Sequence, residues 1–147
     1  MTGAPKFLVV DGYTKKARDE LAAGGAAIAG ELYAAMLKDV QPGSDCDIVY
    51  PSDPGAELPA GQALSGYDGV AWTGCSLTIF DGIPEVRAQV DFARACYEAH
   101  VPAFGSCWAA QIAVTVCSME GAQVAPFEVP MLKSGSVPSK RKGMTER

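Results

Sequence analysis

Apolar residues along the first two-thirds of the chain collect in short runs that alternate with helix-length segments. Four runs bounded by Gly, Pro, Asp or Ser predict buried strands, at residues 6–10, 46–50, 67–72 and 101–104. Apolar residues at helical spacing predict helices over 19–37, 84–100 and 108–117. Gly24, Gly25 and Gly30 weaken the first helix, which could start late or break there. The third helix is apolar almost all round, which predicts burial.

This order of elements predicts an α/β fold. Strands that alternate with helices, and that are apolar without clean alternation, are typical of a parallel sheet covered on both faces by helices. We therefore expect a doubly wound, mostly parallel, flavodoxin-like sheet, incomplete at the carboxyl end.

The pattern weakens after residue 117. The run Gln123-Val-Ala-Pro126 predicts a fifth strand, and beyond it prolines and glycines are spaced through polar residues. Residues 131–147 carry five of the twelve Lys and Arg residues, which contrasts with the acidic body of the chain. We expect a partial α/β domain over 1–130 and a basic, disordered tail over 131–147. The abrupt change from an acidic, patterned body to a basic tail suggests a truncated or frameshifted product.

Composition narrows the functional classes. The net charge is −5 and the body is acidic, so the chain lacks the basic surface that nucleic acid requires. The five cysteines include no Cys-x-x-Cys pair, which argues against a zinc site or a disulfide framework and favours a reducing, cytoplasmic location. No leader or membrane span is indicated. We expect no metal and no cofactor.

The strongest chemical signal lies where the fourth strand meets the last helix, at Gly105-Ser-Cys107-Trp-Ala109. A strand that turns through Gly-x-Cys-x-Ala into a helix predicts a nucleophile elbow, in which the central residue is strained and its neighbours two positions away are small. At a helix N-terminus the dipole favours a thiolate, and the backbone N–H groups can hold an oxyanion. The alternative is that Cys107 is a small apolar residue of the core.

The segment Gly105-Ser-Cys107-Trp-Ala-Ala-Gln111 resembles the Gly-x-Cys-x-Gly-x-Gln signature of class I glutamine amidotransferases, including GMP-synthase-like glutaminase domains. Ala109 replaces the second glycine. The segment 67–76, ending in Thr73-Gly74-Cys75-Ser76, resembles the strand and loop that precede the elbow in that family, and the resemblance extends over residues 6–126.

The resemblance implies hydrolysis of glutamine to glutamate and ammonia through a glutamyl thioester. Cys107 would attack the side-chain amide of the substrate. Gly74 and Cys75 would line the oxyanion site, and Trp108 and Gln111 would help to hold glutamine. The partners implied are glutamine and a synthetase subunit or a second copy of the chain, bound through exposed sheet edges.

The family also places a catalytic histidine well downstream of the cysteine, followed two residues later by an acidic residue, and this chain has no match for it. The only histidine, His100, precedes the strand that leads to Cys107, so we expect it at the opposite edge of the sheet. Without a base, Cys107 lacks the proton shuttle that amide hydrolysis needs, and the chain could be inactive.

Two other functions fit the same residues. One is a non-catalytic α/β module that binds or regulates another subunit. The other is a cysteine-dependent redox protein of the DJ-1/PfpI-like kind, which needs an acidic residue near the cysteine, with Asp11 and Glu20 as candidates. In that case Cys75 could form a disulfide or a sulfenic-acid relay with Cys107. The match at Gln111 favours the amidotransferase.

Overall fold

A computed structural model describes residues 3–118, which form a four-stranded sheet with helices. The strands are β1 (Lys6–Val10), β2 (Asp45–Val49), β3 (Gly69–Trp72) and β4 (Ala103–Gly105). Every pairing is parallel, and the strand order is β2-β1-β3-β4. The predicted α/β class is confirmed. This order is flavodoxin-like, and it reverses direction between β1 and β3, where such sheets open a crevice at their carboxyl ends. The predicted strand at 123–126 and the predicted tail at 131–147 lie outside the described residues.

Four α-helices connect or follow the strands: α1 (Lys15–Ala23), α2 (Ala29–Val40), α3 (Pro84–Glu98) and α4 (Trp108–Cys117). A short 3-10 helix, Gly61–Gly66, precedes β3. The predictions for α3 and α4 are confirmed, with Pro84 in the first turn of α3, where its missing N–H costs nothing.

The segment predicted as a helix over 19–37, with a possible break at its glycines, forms the two helices α1 and α2. The break follows Gly24, and Gly25 has a φ of +80°, a left-handed conformation that glycine adopts without strain. The first helix also begins earlier than predicted. The hydroxyl of Thr14 accepts a hydrogen bond from the N–H of Ala17 and caps that helix.

The main core lies between the sheet and the pair α3 and α4, which pack against each other. Register places alternate residues of the strands on this face, so that Val10, Trp72 and Gly105 are side by side. Buried apolar side chains fill the space between the sheet and these helices, including Leu8, Val10, Val70, Trp72, Val86, Phe92, Cys96 and Ile112. On the opposite face, α2 packs against β1 and β2.

The expectation that α4 is buried is wrong for the outer side of this helix. Ala110, Ala113 and Val114 are exposed on its outer side, while Trp108 and Ile112 face the core. A cleft of about 280 Å³ between α3, β4 and α4 is lined mainly by apolar side chains. Apolar composition could not show which neighbours this helix has. Among residues 3–118, no helix is long and apolar enough to cross a membrane.

Candidate active site

Cys107 occupies the turn between β4 and α4, at the carboxyl edge of the sheet. It is exposed, and its backbone has φ 55° and ψ −104°, a conformation that side-chain-bearing residues rarely adopt. Such strain costs on the order of 1–3 kcal/mol and persists only where the surroundings enforce it. The strained elbow that the sequence predicts is therefore present.

Close contact between strand and helix enforces this turn. A Cβ built on Gly105 would collide with the Cβ of Ala109 and would lie 3.1 Å from the Cβ of Trp72. The methyl group of Ala109 thus packs on the bare backbone of Gly105. This explains how alanine is accommodated where the amidotransferase signature has a glycine, because the other partner of the contact carries no side chain.

The loops that follow β1 and β3 are fixed by buried hydrogen bonds. The N–H of Gly12 donates to Oγ1 of Thr73 at 2.9 Å. The carboxylate of Asp11 accepts from the N–H of Gly30 at 2.8 Å and from the N–H of Tyr13 at 2.9 Å. Both loops lie where the strand order reverses, so the loops beside the elbow are held in place at this end of the sheet.

Trp108, the first residue of α4, packs against the loop that follows β1. Its side chain is fully buried, and Nε1 donates to Oε1 of Gln89 on α3 at 2.8 Å. Nε2 of Gln89 donates to the carbonyl of Gly12 at 2.9 Å and to Oγ of Ser52 at 2.8 Å. The indole is therefore unavailable to a substrate, and a substrate-binding role for Trp108 is restricted to its backbone N–H.

Sequence reasoning missed Gln89. It lies three residues after Val86 and three before Phe92, so it interrupts the apolar stripe of α3 at a core position. A polar residue inside an apolar stripe was the available signal, because an amide is buried only where its hydrogen bonds are satisfied.

Cys75 lies in the loop after β3, as the sequence predicts for a residue next to the elbow. A Cβ built on Gly12 would lie 3.4 Å from its Cβ, and its Sγ accepts from the N–H of Leu77 at 3.4 Å. Burial raises the pKa of the Cys75 thiol to about 11, and the charge of nearby Cys107 contributes to the increase. The hydrogen bond from the N–H of Leu77 lowers the pKa and offsets part of this effect. Cys75 is thus a protonated thiol at neutral pH, which does not favour a relay in which it attacks an oxidised Cys107.

The pKa of the Cys96 thiol, in the core beneath α4, is likewise raised by burial from 9.0 to about 11. Because the folded value lies above the unfolded one, the stabilisation is complete below about pH 9 and is lost as the pH rises through about 11. We predict that the free energy of unfolding of the parent chain falls between about pH 9 and pH 11. The fall should exceed that of Cys96→Val by on the order of 1–2 kcal/mol, because valine has no thiol to ionise. Urea unfolding at several pH values measures this difference, and equal slopes for the two proteins would contradict it.

Gln111 lies one turn along α4 from Cys107 and is half-buried. Its Oε1 accepts from the N–H of Ile79 at 3.2 Å, which ties α4 to the loop after β3. The amide therefore helps to fix that loop through its oxygen, and its –NH₂ group is the part that could hold a substrate. Gly74 lies in the same loop, where a Cβ would meet nothing within 4 Å.

His100 lies between the end of α3 and the start of β4, and its N–H donates to the carbonyl of Tyr97. Cys107 follows the opposite end of β4. A three-residue strand spans about 10 Å, so the imidazole and the thiol belong to opposite edges of the sheet, as the sequence indicates.

The acidic residues considered for a redox protein are engaged elsewhere. The carboxylate of Asp11 is fully buried and bonded to two backbone N–H groups, and Glu20 lies on the surface of α1, 3.8 Å from Lys16. No group of three His, Cys, Asp or Glu residues within 3–118 could hold a metal ion. The elements that meet at Cys107 are β4, the start of α4, which carries Gln111 one turn later, and the loop after β3 with the Cys75 thiol.

The chain is similar to one curated protein, described as gamma-glutamyl-L-1-hydroxyisopropylamide hydrolase, from Pseudomonas sp. The two are 29% identical over 124 residues, which make up 84% of this chain and 40% of the Pseudomonas protein. The chain therefore spans about two fifths of the length of that relative. No protein family model matches the chain, and no solved structure matches it significantly.

Proposed function

We propose that this chain is part of a class I glutamine amidotransferase-like hydrolase that cleaves γ-glutamyl amide bonds through a thioester on Cys107. The observation that carries the proposal is the strained, exposed cysteine at the start of α4. The Gly-x-Cys-x-Ala-x-Gln segment and the similarity to a γ-glutamyl amide hydrolase support this choice of substrate class.

The reaction begins with attack of the Cys107 thiolate on the carbonyl carbon of the γ-glutamyl amide. The carbonyl π electrons move to oxygen, and this oxyanion accepts hydrogen bonds from the N–H of Trp108 and from N–H groups of the Gly74–Cys75 loop. Collapse of the tetrahedral intermediate breaks the C–N bond and releases ammonia or an amine, which takes up a proton. Water then hydrolyses the glutamyl thioester, giving glutamate and the free thiol.

The leaving amine needs a proton donor, and His100 lies at the wrong edge of the sheet to supply one. We propose that the donor comes from outside residues 3–118. Amide and activated ester substrates then differ in what acylation requires, because a γ-glutamyl aryl ester releases a stable phenolate that needs no proton.

We predict that the 147-residue chain reacts with a γ-glutamyl p-nitrophenyl ester in a burst that approaches one equivalent of p-nitrophenolate, while its turnover of glutamine is slow. Stopped-flow absorbance measures the burst, and mass spectrometry of the quenched protein locates the glutamyl group. Gln111→Ala should weaken saturation by the ester, since it loses a substrate contact. A folded chain that gives no burst, or a glutamyl group found on another residue, would contradict the proposal.

The leaving group distinguishes two forms of the activity. An ammonia-releasing amidotransferase prefers glutamine, whereas an enzyme like the Pseudomonas relative acts on an N-substituted amide. Parallel assays of the chain with glutamine and γ-glutamyl isopropylamide, measuring ammonia and isopropylamine, decide between them.

A further inference from the structure

We infer that Gln89 is a positioning residue for Cys107: through the Trp108 indole it holds the first turn of α4 in the conformation that keeps the elbow strained. The link to substrate turnover rests on the proposed function. The effect on the thiol itself does not, since it concerns the shape of the turn.

The hydrogen bonds of Gln89 identify what it holds. Its side chain is fully buried, and both amide hydrogens and the amide oxygen are used at 2.8–2.9 Å. The partners belong to three separate parts of the chain: Gly12 after β1, Ser52 after β2, and Trp108 at the start of α4. Gln89 therefore fastens the elbow helix to two strand ends across the core, and a buried network of this kind keeps one geometry only while every member is satisfied.

The space around the indole is equally restricted. A Cβ built on Gly12 would lie 2.8 Å from Cδ1 of Trp108 and 3.2 Å from Nε1, so the ring packs directly on the bare backbone of Gly12. Loss of the acceptor would leave the indole N–H buried without a partner at a cost of about 1–3 kcal/mol, which favours displacement of the ring.

Movement of Trp108 reaches Cys107 because the two residues are adjacent at the strained turn. The conformation of Cys107 is held from the helix side by two contacts, Ala109 on Gly105 and Trp108 on Gln89. Strained backbone relaxes when one of the contacts that enforce it is lost. Relaxation would displace both the thiol and the Trp108 N–H that faces the oxyanion.

The test compares alkylation of Cys107 by iodoacetamide in folded variants, followed on the Cys107 peptide by mass spectrometry in a Cys117→Ala background. Gln89→Met preserves the length of the side chain and removes its hydrogen bonds, and Trp108→Phe removes the indole N–H. We expect each to lower the alkylation rate constant by about 10-fold, and the double variant to be no slower than Gln89→Met.

Phe92→Leu is the matched control. It alters the core on the same helix, beside Trp72, without touching the hydrogen bonds of Gln89. It should lower the melting temperature and leave the alkylation rate of the folded protein unchanged. If Phe92→Leu and Gln89→Met slow alkylation equally, or if the effects of Gln89→Met and Trp108→Phe multiply, the inference is wrong.

The γ-glutamyl aryl ester separates this inference from the proposed function. Gln89→Met should lower the acylation rate constant about 10- to 100-fold with little change in the half-saturating ester concentration. If the variants are alkylated more slowly but the parent chain is not acylated, the positioning role is supported and the proposed function is wrong. Normal acylation and alkylation in a folded Trp108→Phe remove the positioning role and leave the function standing, even if Gln89→Met does not fold.

Discussion

Cys107→Ala is expected to lower the acylation rate with γ-glutamyl substrates by about 10⁴-fold or more, because in the proposed reaction it removes the sulfur atom that would form the thioester. The variant should fold, since the side chain of Cys107 is exposed and contributes little to packing. Cys117→Ala is the matched control. Cys117 is an exposed cysteine at the other end of the same helix, so its replacement should leave acylation unchanged.

The backbone strain at Cys107 gives this variant a second use. Alanine retains a Cβ at a φ of 55°, whereas glycine adopts that conformation freely. We expect Cys107→Gly to be about 1 kcal/mol more stable than Cys107→Ala, the strain relieved being partly offset by the entropy of glycine in the unfolded chain. Equal stability would show that the elbow carries no strain, and residual acylation in both variants would show that another nucleophile acts.

Gly105→Ala is expected to lower the free energy of unfolding by about 3 kcal/mol. The added methyl group would meet the Cβ of Ala109, the Cβ of Trp72 at 3.1 Å and the carbonyl oxygen of Trp72 at 3.2 Å. Two of these atoms belong to buried side chains and the third to the backbone of β3, so none can move cheaply. Strand and helix must separate, and the elbow between them should lose its geometry as well.

Gly66→Ala controls for the general effect of replacing a glycine, because a Cβ at Gly66 meets nothing within 4 Å. Its stability should change by less than about 0.5 kcal/mol. The pair Gly105→Ala and Ala109→Gly should recover part of the loss, since it removes one of the three collisions. Urea unfolding measures all four proteins. A Gly105→Ala variant as stable as Gly66→Ala would mean that the strand and helix are not in close contact.

The elements of the fold that have a clear local hydrophobic pattern could be predicted from the sequence. The four strands, α3 and α4 each carry a short apolar run or a helical stripe, and their alternation determined the parallel sheet. The glycines between α1 and α2 indicated a possible break but not whether or where it occurs, because the break depends on Gly25 adopting a left-handed φ, which a glycine permits without requiring. The exposure of the outer side of α4 depends on neighbours in space, and composition does not contain that information.

Some residues of the candidate site could be predicted from local sequence pattern, and others could not. Cys107, Gly105 and Ala109 could be placed from a strand that turns directly into a helix, because the contacts of this turn are between residues close in sequence. Gln89 bonds to residues 19, 37 and 77 positions away, and these partners meet only once the sheet has formed. Its position within an apolar stripe marked it as unusual, but only the tertiary structure shows that it holds Trp108.

Labelling with 6-diazo-5-oxo-norleucine, a thiol-reactive glutamine analogue, tests most directly whether Cys107 is a nucleophile in a γ-glutamyl site. The measurement is peptide mass spectrometry of the 147-residue chain after exposure to the analogue, with and without excess glutamine. We predict modification of the Cys107 peptide, protection by glutamine, and much slower modification of the exposed Cys117. Equal modification of Cys107 and Cys117, unaffected by glutamine, would show that the elbow has no glutamine site and would contradict the proposed function.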